Sequence, residues 1–331
     1  MRVLLCAKSH YSNLNSCDTD LIFNIYNYLK RQNVQVDICG ANEEVDYKKY
    51  DIVHLFDIKN IFDTYKHYKL ASCSGCKIVV SPMYFNMNRF YDHIENQERK
   101  NSWNRCRIYR ETIINKSSLI LCNSNFEKNL ILKDFTPRCE PTVIYNGVKI
   151  RDGEIPLYNF KERYNLDSYI LSVGRICDFK NQLTLSKVCE EIGIPLVLVG
   201  TPADPDYLKQ CLKYKGTHYL GFMNEYDLYN AYTFSTAHVL ASFLEVTSMS
   251  SLKAASYGCN IVVTEEGASK EYFNDLAIYC DPYKYESISL AVEDIIKKRK
   301  SDKLRDYVKN NYNVEVTLKQ IYKSYLKLIQ E

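Results

Sequence analysis

The stretch LSVGRICDFKNQ, Leu171–Gln182, decides the fold and points to the chemistry of the chain. An apolar run ending at Gly174 indicates a strand, and Arg175 and Lys180 follow in the turn after it. In open α/β sheets, ligands bind in the crevice beyond the carboxyl ends of the strands. Two cations held there suit a diphosphate, because Arg grips phosphate oxygens with paired N–H donors and Lys adds a point charge. Taken alone, the stretch also fits a basic loop that only faces solvent.

The composition is that of a globular, reduced protein of about two domains. The 331 residues are 46% hydrophobic and 25% charged, and the formal net charge of +3 is too small to indicate nucleic-acid binding. Several of the thirteen cysteines lie in apolar runs, among them Cys6, Cys39 and Cys122, as expected for packed thiols and not for disulfides. Cys73 and Cys76 form a single C-x-x-C without the partners of a zinc site, which favours two ordinary loop thiols.

The amino terminus, MRVLLCAKSHYSN, is typical of a first strand and lacks the cleavage pattern of a signal peptide. No apolar stretch reaches the roughly 18–20 residues of a spanning helix. We therefore expect a cytoplasmic protein, with attachment at most to the inner surface of the membrane.

Short apolar runs alternate with helical patterns along the chain, which is typical of a parallel sheet flanked by helices. We expect an α/β protein with two doubly wound, Rossmann-like domains facing across a cleft, where ligands usually bind. The first domain is expected over residues 1–148 and the second over 169–313. Between them, the polar stretch 149–168, broken by Gly153 and Pro156, is typical of a linker.

Four segments follow predicted strands of the second domain, and parallel strands bring such segments to one edge of the sheet. Thr247 and Ser248 stand where a helix begins, so free N–H groups and the helix dipole favour a phosphate there. Glu245, just before them, can accept hydrogen bonds from sugar hydroxyls. Each residue alone also fits an ordinary role, such as a helix cap, a first-turn carboxylate or a rim aromatic. The four segments are Gly174 with Arg175 and Lys180, Gly221-Phe222, Val239–Lys253, which contains Glu245, and Glu266–Glu271.

The order and spacing of these segments resemble the retaining nucleotide-sugar glycosyltransferases of family 4, which have the GT-B fold. SVGRICDFKNQ resembles the family's signature for the donor diphosphate, ASFLEVTSMSSLK its E-x7-E region and EGASKE its G-G-x-x-E turn. VIYNGV and YCDP resemble the segments before and after these motifs. The resemblance covers nearly the whole chain and is strongest from Val143 to Asp281. It implies that a last helix, about residues 314–331, packs back onto the first domain.

The resemblance also implies roles for individual residues. Arg175 and Lys180 would neutralise the departing diphosphate and Glu245 would contact the donor sugar, which makes these three the implied catalytic residues. Gly221 and Phe222 would lie near the nucleotide base. The family needs no metal and no other cofactor, transfers sugar with retention, and here implies a nucleotide-sugar donor that is most simply UDP-linked. The implied donor-binding residues are Gly174, Gly221, Phe222, Val246, Thr247, Ser248, Lys253, Gly267 and Glu271.

Three positions depart from the family pattern. Lys253 stands where the second glutamate of the E-x7-E pattern binds the ribose, and an ammonium has donors but no acceptor. Such a lysine fits a contact with a ribose oxygen, added charge near the diphosphate, or a solvated position on the helix. Ser16 and Cys17 replace the paired glycines of the first domain, where side chains narrow the site or shift the loop. Where the family often has a histidine, Tyr84 and Asn86 are the polar groups available to an acceptor.

The basic, aromatic segment Arg99–Lys116 is predicted as one helix. It suits an anionic membrane that carries a lipid-linked acceptor, and it equally suits a solvated helix face. The resulting hypothesis is a hexosyltransferase that moves sugar from a nucleotide donor to a glycan or lipid-linked acceptor in cell-surface polysaccharide synthesis. The alternatives are a non-catalytic partner subunit of a glycosylation complex and a sugar-nucleotide epimerase.

Overall fold

The computed structural model describes residues 1–9, 11, 17–151, 153 and 155–330, except the side chains of Cys17 and Asp18. The chain forms two compact units. The first comprises Met1–Asn146 together with Val314–Glu331, and the second comprises Gly147–Asn313. Each unit contains one six-stranded sheet, and all the strand pairs are parallel.

The sheet of the first unit has the strand order β2-β1-β3-β4-β5-β6. Its strands are nearly continuous apolar runs, as expected where helices cover both faces. Its elements are β1 Arg2–Ala7, α1 Cys17–Arg31, β2 Gln35–Gly40, β3 Ile52–Phe56, α2 Ile61–Ser72, β4 Lys77–Ser81, α3 Asn88–His93, α4 Gln97–Arg105, α5 Arg107–Lys116, β5 Leu119–Cys122, α6 Asn125–Asp134, β6 Thr142–Val143 and the last helix, α15, Val314–Gln330.

Helix α15 completes the core of the first unit. The apolar residues of α15 recur at spacings of three and four, so they share the face that packs beside α1. The Tyr325 hydroxyl lies 2.5 Å from Nδ1 of the buried His54 on β3, and Ser81 Oγ lies 2.9 Å from Nε2 of the same ring. Arg31, at the end of α1, and Glu315, at the start of α15, form an exposed ion pair at 2.8 Å. The apolar face of α15 consists of Leu318, Ile321, Tyr325 and Leu328.

The sheet of the second unit has the strand order β12-β11-β10-β7-β8-β9, the doubly wound order of a Rossmann fold. The strands that follow β7 are added on one side of the sheet and those that follow β10 on the other, so a crevice opens at the carboxyl ends of β7 and β10. The elements are α7 Phe160–Tyr164, β7 Ile170–Val173, α8 Gln182–Ile192, β8 Leu196–Val199, α9 Pro205–Cys211, β9 Thr217–Tyr219, α10 Glu225–Phe234, β10 Ala237–Leu240, α11 Met249–Ser256, β11 Asn260–Thr264, α12 Ser269–Phe273, β12 Ile278–Cys280, α13 Tyr285–Lys297 and α14 Asp302–Asn311.

The stretch predicted as a linker, residues 149–168, belongs to the second unit and contains α7. Phe160 is fully buried, and its ring packs 5.3 Å from that of Tyr169. Tyr158 donates a hydrogen bond to Asp227 at 2.6 Å on α10. The segment is polar because most of its side chains face solvent, while a few aromatic residues anchor it.

The single helix predicted for Arg99–Lys116 is wrong, because the helix breaks at Cys106 into α4 and α5. The break lets Arg110 turn inward, where it is 3% exposed and donates to the carbonyl of Trp103. Helix α14 was absent from the sequence prediction, because its apolar side is reduced to two buried side chains, Leu304 and Val308. Across the part of the chain that the structure describes, no helix is long and apolar enough to cross a membrane.

Candidate functional site

The turn after β7 holds the predicted diphosphate-binding residues at the crevice of the second sheet. The Gly174 N–H donates to Val199 O on the neighbouring strand at 2.9 Å, and the Gln182 side chain donates to Arg175 O at 2.9 Å. Asn181 ends the turn in the left-handed region, with φ of 59°. Both ends of the turn are therefore fixed, and Arg175 is exposed between them.

Lys180 and Glu245 are brought together as an ion pair between Nζ and Oε1. They are 65 positions apart in the sequence and join the turn after β7 to the loop after β10. The Phe243 N–H donates to Phe179 O at 3.1 Å, which holds the two loops side by side. The side chains are 22% and 11% exposed, so the pair is shielded but open to a ligand. A ligand with a phosphate and a sugar hydroxyl could bind to both partners at once.

Glu245 is fixed from its other side by Gly267 in the loop after β11. The Glu245 carbonyl accepts from Ala268 N–H at 2.9 Å, and its own N–H donates to Glu266 O at 3.1 Å. Gly267 has φ of 104°, and a β-carbon there would lie 2.1 Å from Glu245 O. Only glycine fits this contact, which explains the glycine of the EGASKE segment.

The loop that follows Glu245 leads directly into α11. Ser248 adopts the left-handed region, with φ of 50°, and its hydroxyl lies 3.2 Å from that of Ser269. Its side chain makes no capping hydrogen bond to α11, so the ordinary role of a helix cap is not the one observed. Val246 and Thr247 are almost buried in the same loop. This loop joins Glu245 to the start of α11, where the helix dipole places a partial positive charge.

The other predicted donor-binding residues lie farther along the same edge or on α11 and α12. The Gly221 carbonyl accepts from Gly200 N–H at 2.8 Å, and Phe222, 55% exposed, follows it just beyond β9. Since β9 is two strands from β7, this aromatic lies on the order of 10 Å from the turn. Lys253 and Glu271 are both half-buried, on α11 and α12 respectively.

The predicted acceptor-side residues of the first unit have structural contacts. The Tyr84 hydroxyl donates to Asp134 at 2.7 Å, and its backbone N–H donates to Glu127 at 2.7 Å. The Asn86 amide also donates to Asp134, at 3.2 Å. Tyr84 is only 3% exposed, and neither side chain is part of the function proposed below. Cys17 begins α1, whereas Ser16 lies outside the described residues.

The sequence prediction missed a charged cluster at the crevice of the first sheet. Lys8 follows β1 and Asp57 follows β3, two neighbouring strands, and the two side chains pair at 2.8 Å. Burial by itself would raise the pKa of the Asp57 carboxyl, but Lys59 and Lys8 outweigh it and hold that pKa well below its usual range. The available signal was position, because both residues come directly after predicted strands.

A buried polar group at the end of β10 was also missed. The Ser242 hydroxyl is fully buried and has no hydrogen-bond partner among the described residues. It precedes Glu245 by three positions in the same loop. Within the described ranges, no group of three His, Cys, Asp or Glu side chains is placed to hold a metal ion.

The comparisons with known proteins agree with this geometry. The family model "Glycosyl transferases group 1" matches residues 158–314, which include the whole crevice of the second sheet. No curated protein sequence matches the chain significantly.

Solved structures of the same fold cover the full chain at low sequence identity. Sucrose-phosphate synthase from Thermosynechococcus elongatus is 13% identical with a TM-score of 0.82, over 100% of both chains. Anabaena HepE in complex with UDP and glucose is 13% identical with a TM-score of 0.76, over 99% of this chain and 100% of that one. A trehalose-6-phosphate synthase, studied for glycosyl transfer with retention, is 11% identical with a TM-score of 0.69, over 100% of this chain and 99% of that one. The fold is GT-B, residues 158–314 match the model of the group 1 glycosyl transferases, and together these findings indicate a glycosyltransferase.

Proposed function

We propose that this glycosyltransferase is a retaining enzyme of family 4 that moves a hexose from a UDP-linked donor to a glycan or lipid-linked acceptor. The observation that carries the proposal is the pairing of Lys180 with Glu245 at the crevice of the second sheet. The pair offers a cation for the diphosphate and a carboxylate for sugar hydroxyls at one place. HepE, whose structure holds UDP and glucose, has the same fold and supports the choice of UDP.

In this proposal, the donor diphosphate displaces Glu245 as the partner of the Lys180 ammonium. Arg175, exposed in the same turn, adds a second cation as negative charge develops on the leaving group. The start of α11 faces the same charge with its unpaired N–H groups. Such fixed charges stabilise a departing diphosphate without a metal ion, because they need no reorganisation during the reaction.

In this proposal, the Glu245 carboxylate also accepts hydrogen bonds from the hydroxyl groups of the donor sugar. Its backbone is held on both sides by Glu266 and Ala268, so its carboxylate can exchange Lys180 for a hydroxyl without moving the loop. Phe222 provides an exposed ring at the far end of the edge, where the uracil base would stack. Retention of the anomeric configuration is proposed from the likeness to family 4 and from the retaining trehalose-6-phosphate synthase of the same fold.

The most direct test of activity is a panel of UDP-, GDP- and ADP-sugars, followed by NMR of the products formed with the membrane fraction or with glycan acceptors. We expect turnover with at least one UDP-hexose and a product with the anomeric configuration of the donor. An inverted product would contradict the assignment to a retaining family. Turnover of GDP- or ADP-sugars alone would contradict the choice of UDP.

A second candidate function is a non-catalytic partner subunit, and Lys253 is the observation that favours it. A lysine cannot accept the hydrogen bonds of a ribose. In the active enzyme that we propose, Lys253 instead adds positive charge, so Lys253→Glu should weaken UDP binding. If Lys253→Glu strengthens UDP binding and creates turnover that the parent lacks, the parent is the non-catalytic form.

We also propose a cytoplasmic location, a role in cell-surface polysaccharide synthesis and contact of the 99–116 segment with the inner membrane surface. Arg105 and Lys116 are exposed there, although Arg110 is buried and Arg107 donates to the carbonyl of Asp134. Liposomes with anionic lipid should retain the protein at low salt and release it at high salt. Equal retention on neutral liposomes would show that the basic residues are not the reason for binding.

A further inference from the structure

A cavity of about 390 Å³ opens in the first unit, and none of its lining residues is assigned above to the donor. One wall is the segment that leaves β3 and begins α2, and the opposite wall is formed by α3, α4 and α5. The principal lining residues are Lys59, Asp63, Tyr91, Arg99, Trp103 and Arg110.

The lining of this cavity contains three cations and one carboxylate, and one of the cations, Lys59, also lies 3.9 Å from Asp57. The carboxylate, Asp63, accepts from the Ser9 N–H at 2.8 Å and is therefore already engaged. Arg110 is fixed in place, because its Nε donates to Ile58 O at 3.1 Å and its Nη1 donates to Trp103 O at 2.9 Å. These two bonds leave Nη2 available for a ligand.

Aromatic rings hold the cations in position. The Arg110 guanidinium lies 3.5 Å from the centroid of the Trp103 ring, and the Arg99 guanidinium lies 5.2 Å from that of Tyr91. A guanidinium stacked on an aromatic ring is weakly hydrated and keeps its N–H groups directed outward in its plane. This arrangement suits an anion with several oxygens, such as a phosphate or a diphosphate.

A second, apolar cavity of about 210 Å³ adjoins the first. The two share Ile61 and Phe62 in their linings, and Tyr65 and Tyr109 complete the second. Phe62 is 79% exposed, although it lies in the first turn of a helix that packs against the core. Tyr109, at 40% exposed, faces it from α5. An apolar ring left in water beside a charged cavity marks a binding surface.

We infer that the two cavities form one binding site for a single anionic amphiphile, a phosphate or diphosphate attached to an alkyl or isoprenoid chain. The larger cavity takes the charged head between Arg99 and Arg110, and the chain lies along Phe62, Tyr65 and Tyr109. Identification of this amphiphile as the sugar acceptor rests on the proposed function, whereas the binding itself does not.

The chain contains a single tryptophan, and Trp103 lines the proposed site, so its fluorescence reports binding there without a label. The full-length protein is titrated with dodecyl phosphate below its micelle concentration, with inorganic pyrophosphate, and with dodecyl maltoside. We expect dodecyl phosphate to cause a saturable change in Trp103 emission. The change should occur at concentrations about tenfold or more below those needed for pyrophosphate or for dodecyl maltoside. Pyrophosphate lacks the apolar chain, and dodecyl maltoside lacks the negative charge. Equal response to pyrophosphate would contradict a role of the apolar cavity, and equal response to the maltoside would contradict recognition of charge.

Two variants test the two halves of the site, and a third is their control. Arg99→Ala and Phe62→Ala change exposed side chains, and each should raise the dissociation constant for dodecyl phosphate about tenfold, through loss of a charge-assisted hydrogen bond or of apolar contact. Lys69→Ala removes an exposed cation of α2, the helix that carries Phe62, and it should bind like the parent because Lys69 lines neither cavity. Equal weakening by Lys69→Ala would show that the effect comes from general surface charge and not from the site. Because UDP binding is measured separately, failure here would leave the donor-site assignment intact.

Discussion

At the scale of single residues, the donor site depends on contacts that allow no side chain. Gly200 and Gly267 each lie against the backbone of a neighbouring loop, and a β-carbon at either would come within about 2 Å of a carbonyl oxygen. The first contact is to Gly174 O and the second is to Glu245 O. Both loops that carry proposed catalytic residues are therefore positioned by a glycine that follows the adjacent strand, β8 or β11.

We predict that Gly267→Ala weakens UDP-sugar binding and lowers the free energy of unfolding by about 1–3 kcal/mol, the usual range for a strained backbone position. The added methyl group would push away the Glu245 carbonyl and with it the Lys180–Glu245 pair. Urea unfolding and calorimetry with UDP measure the two effects. Gly216→Ala is the matched control, because its β-carbon would meet nothing closer than 3.9 Å, and it should leave both quantities unchanged. UDP binding unaltered in Gly267→Ala would contradict the positioning role.

The sequence predicted individual residues well where position along a strand decides their place. Arg175, Lys180 and Glu245 follow strands whose apolar runs are plain in the sequence, and the structure places all three at one sheet edge. The direct pairing of Lys180 with Glu245 was not predictable, because it depends on how two loops of irregular backbone fold against each other. The hydrogen bond of Tyr84 was not predictable for a similar reason, since its partner Asp134 is 50 residues away on α6.

At the scale of elements, α15 is the part of the chain whose place depends most on tertiary contacts. It follows the whole second unit in sequence, yet its apolar face packs into the core of the first. Its amphipathic pattern predicted a helix, and only the family resemblance predicted where it would pack. By contrast, the break between α4 and α5 was not predictable, because no glycine or proline marks it in the sequence. In the structure, the break occurs together with the burial of Arg110.

We predict that Tyr325→Ala lowers the free energy of unfolding of the first unit by about 3–5 kcal/mol, the cost typical of removing a buried aromatic side chain. Tyr325 is fully buried against His54, with their ring centroids 5.8 Å apart. Val316→Ala, at a position on the same helix that is 53% exposed, is the control and should change stability by less than about 0.5 kcal/mol. Chemical denaturation followed by circular dichroism measures both. Similar small effects of the two variants would show that α15 is not part of the core.

The contact between β3 and α15 also predicts a dependence of stability on pH. Burial lowers the pKa of His54 from 6.5 to about 3, so the folded protein holds this ring neutral while the unfolded chain protonates it below about pH 6.5. Between those values the unfolded state binds more protons, so this contribution is complete above pH 6.5 and is lost as the pH falls.

We therefore expect the free energy of unfolding to fall from pH 7 to pH 5, and to fall less steeply in His54→Gln, whose side chain does not titrate. Urea unfolding at a series of pH values measures the slopes. If His54→Gln and the parent share one slope, the buried ring is not the source of the pH dependence.

At the scale of the whole molecule, the two units share the same sheet architecture and the same position of a charged pair. Each has a six-stranded parallel sheet whose order reverses at one point, and each places a lysine and a carboxylate there. In the first unit the pair is Lys8 with Asp57, and in the second it is Lys180 with Glu245. The alternation of strands and helices was enough to predict two α/β units. The cavities beside Trp103 could not be predicted, because their walls come from four helices separated by up to 50 residues.

The central claim is that the crevice of the second sheet binds the diphosphate of a nucleotide-sugar through Lys180. Calorimetric titration of UDP into the parent, Lys180→Ala and Lys187→Ala tests it most directly. Lys187 is the matched control, because its side chain is 50% exposed on α8, where it pairs with Glu191 and lies 4.7 Å from the centroid of the Tyr285 ring. We predict that Lys180→Ala binds UDP about tenfold or more weakly than the parent, as expected for loss of a charge-assisted contact, while Lys187→Ala binds like the parent. Equal UDP affinity in all three proteins, or no binding of UDP by the parent at millimolar concentration, would contradict the claim.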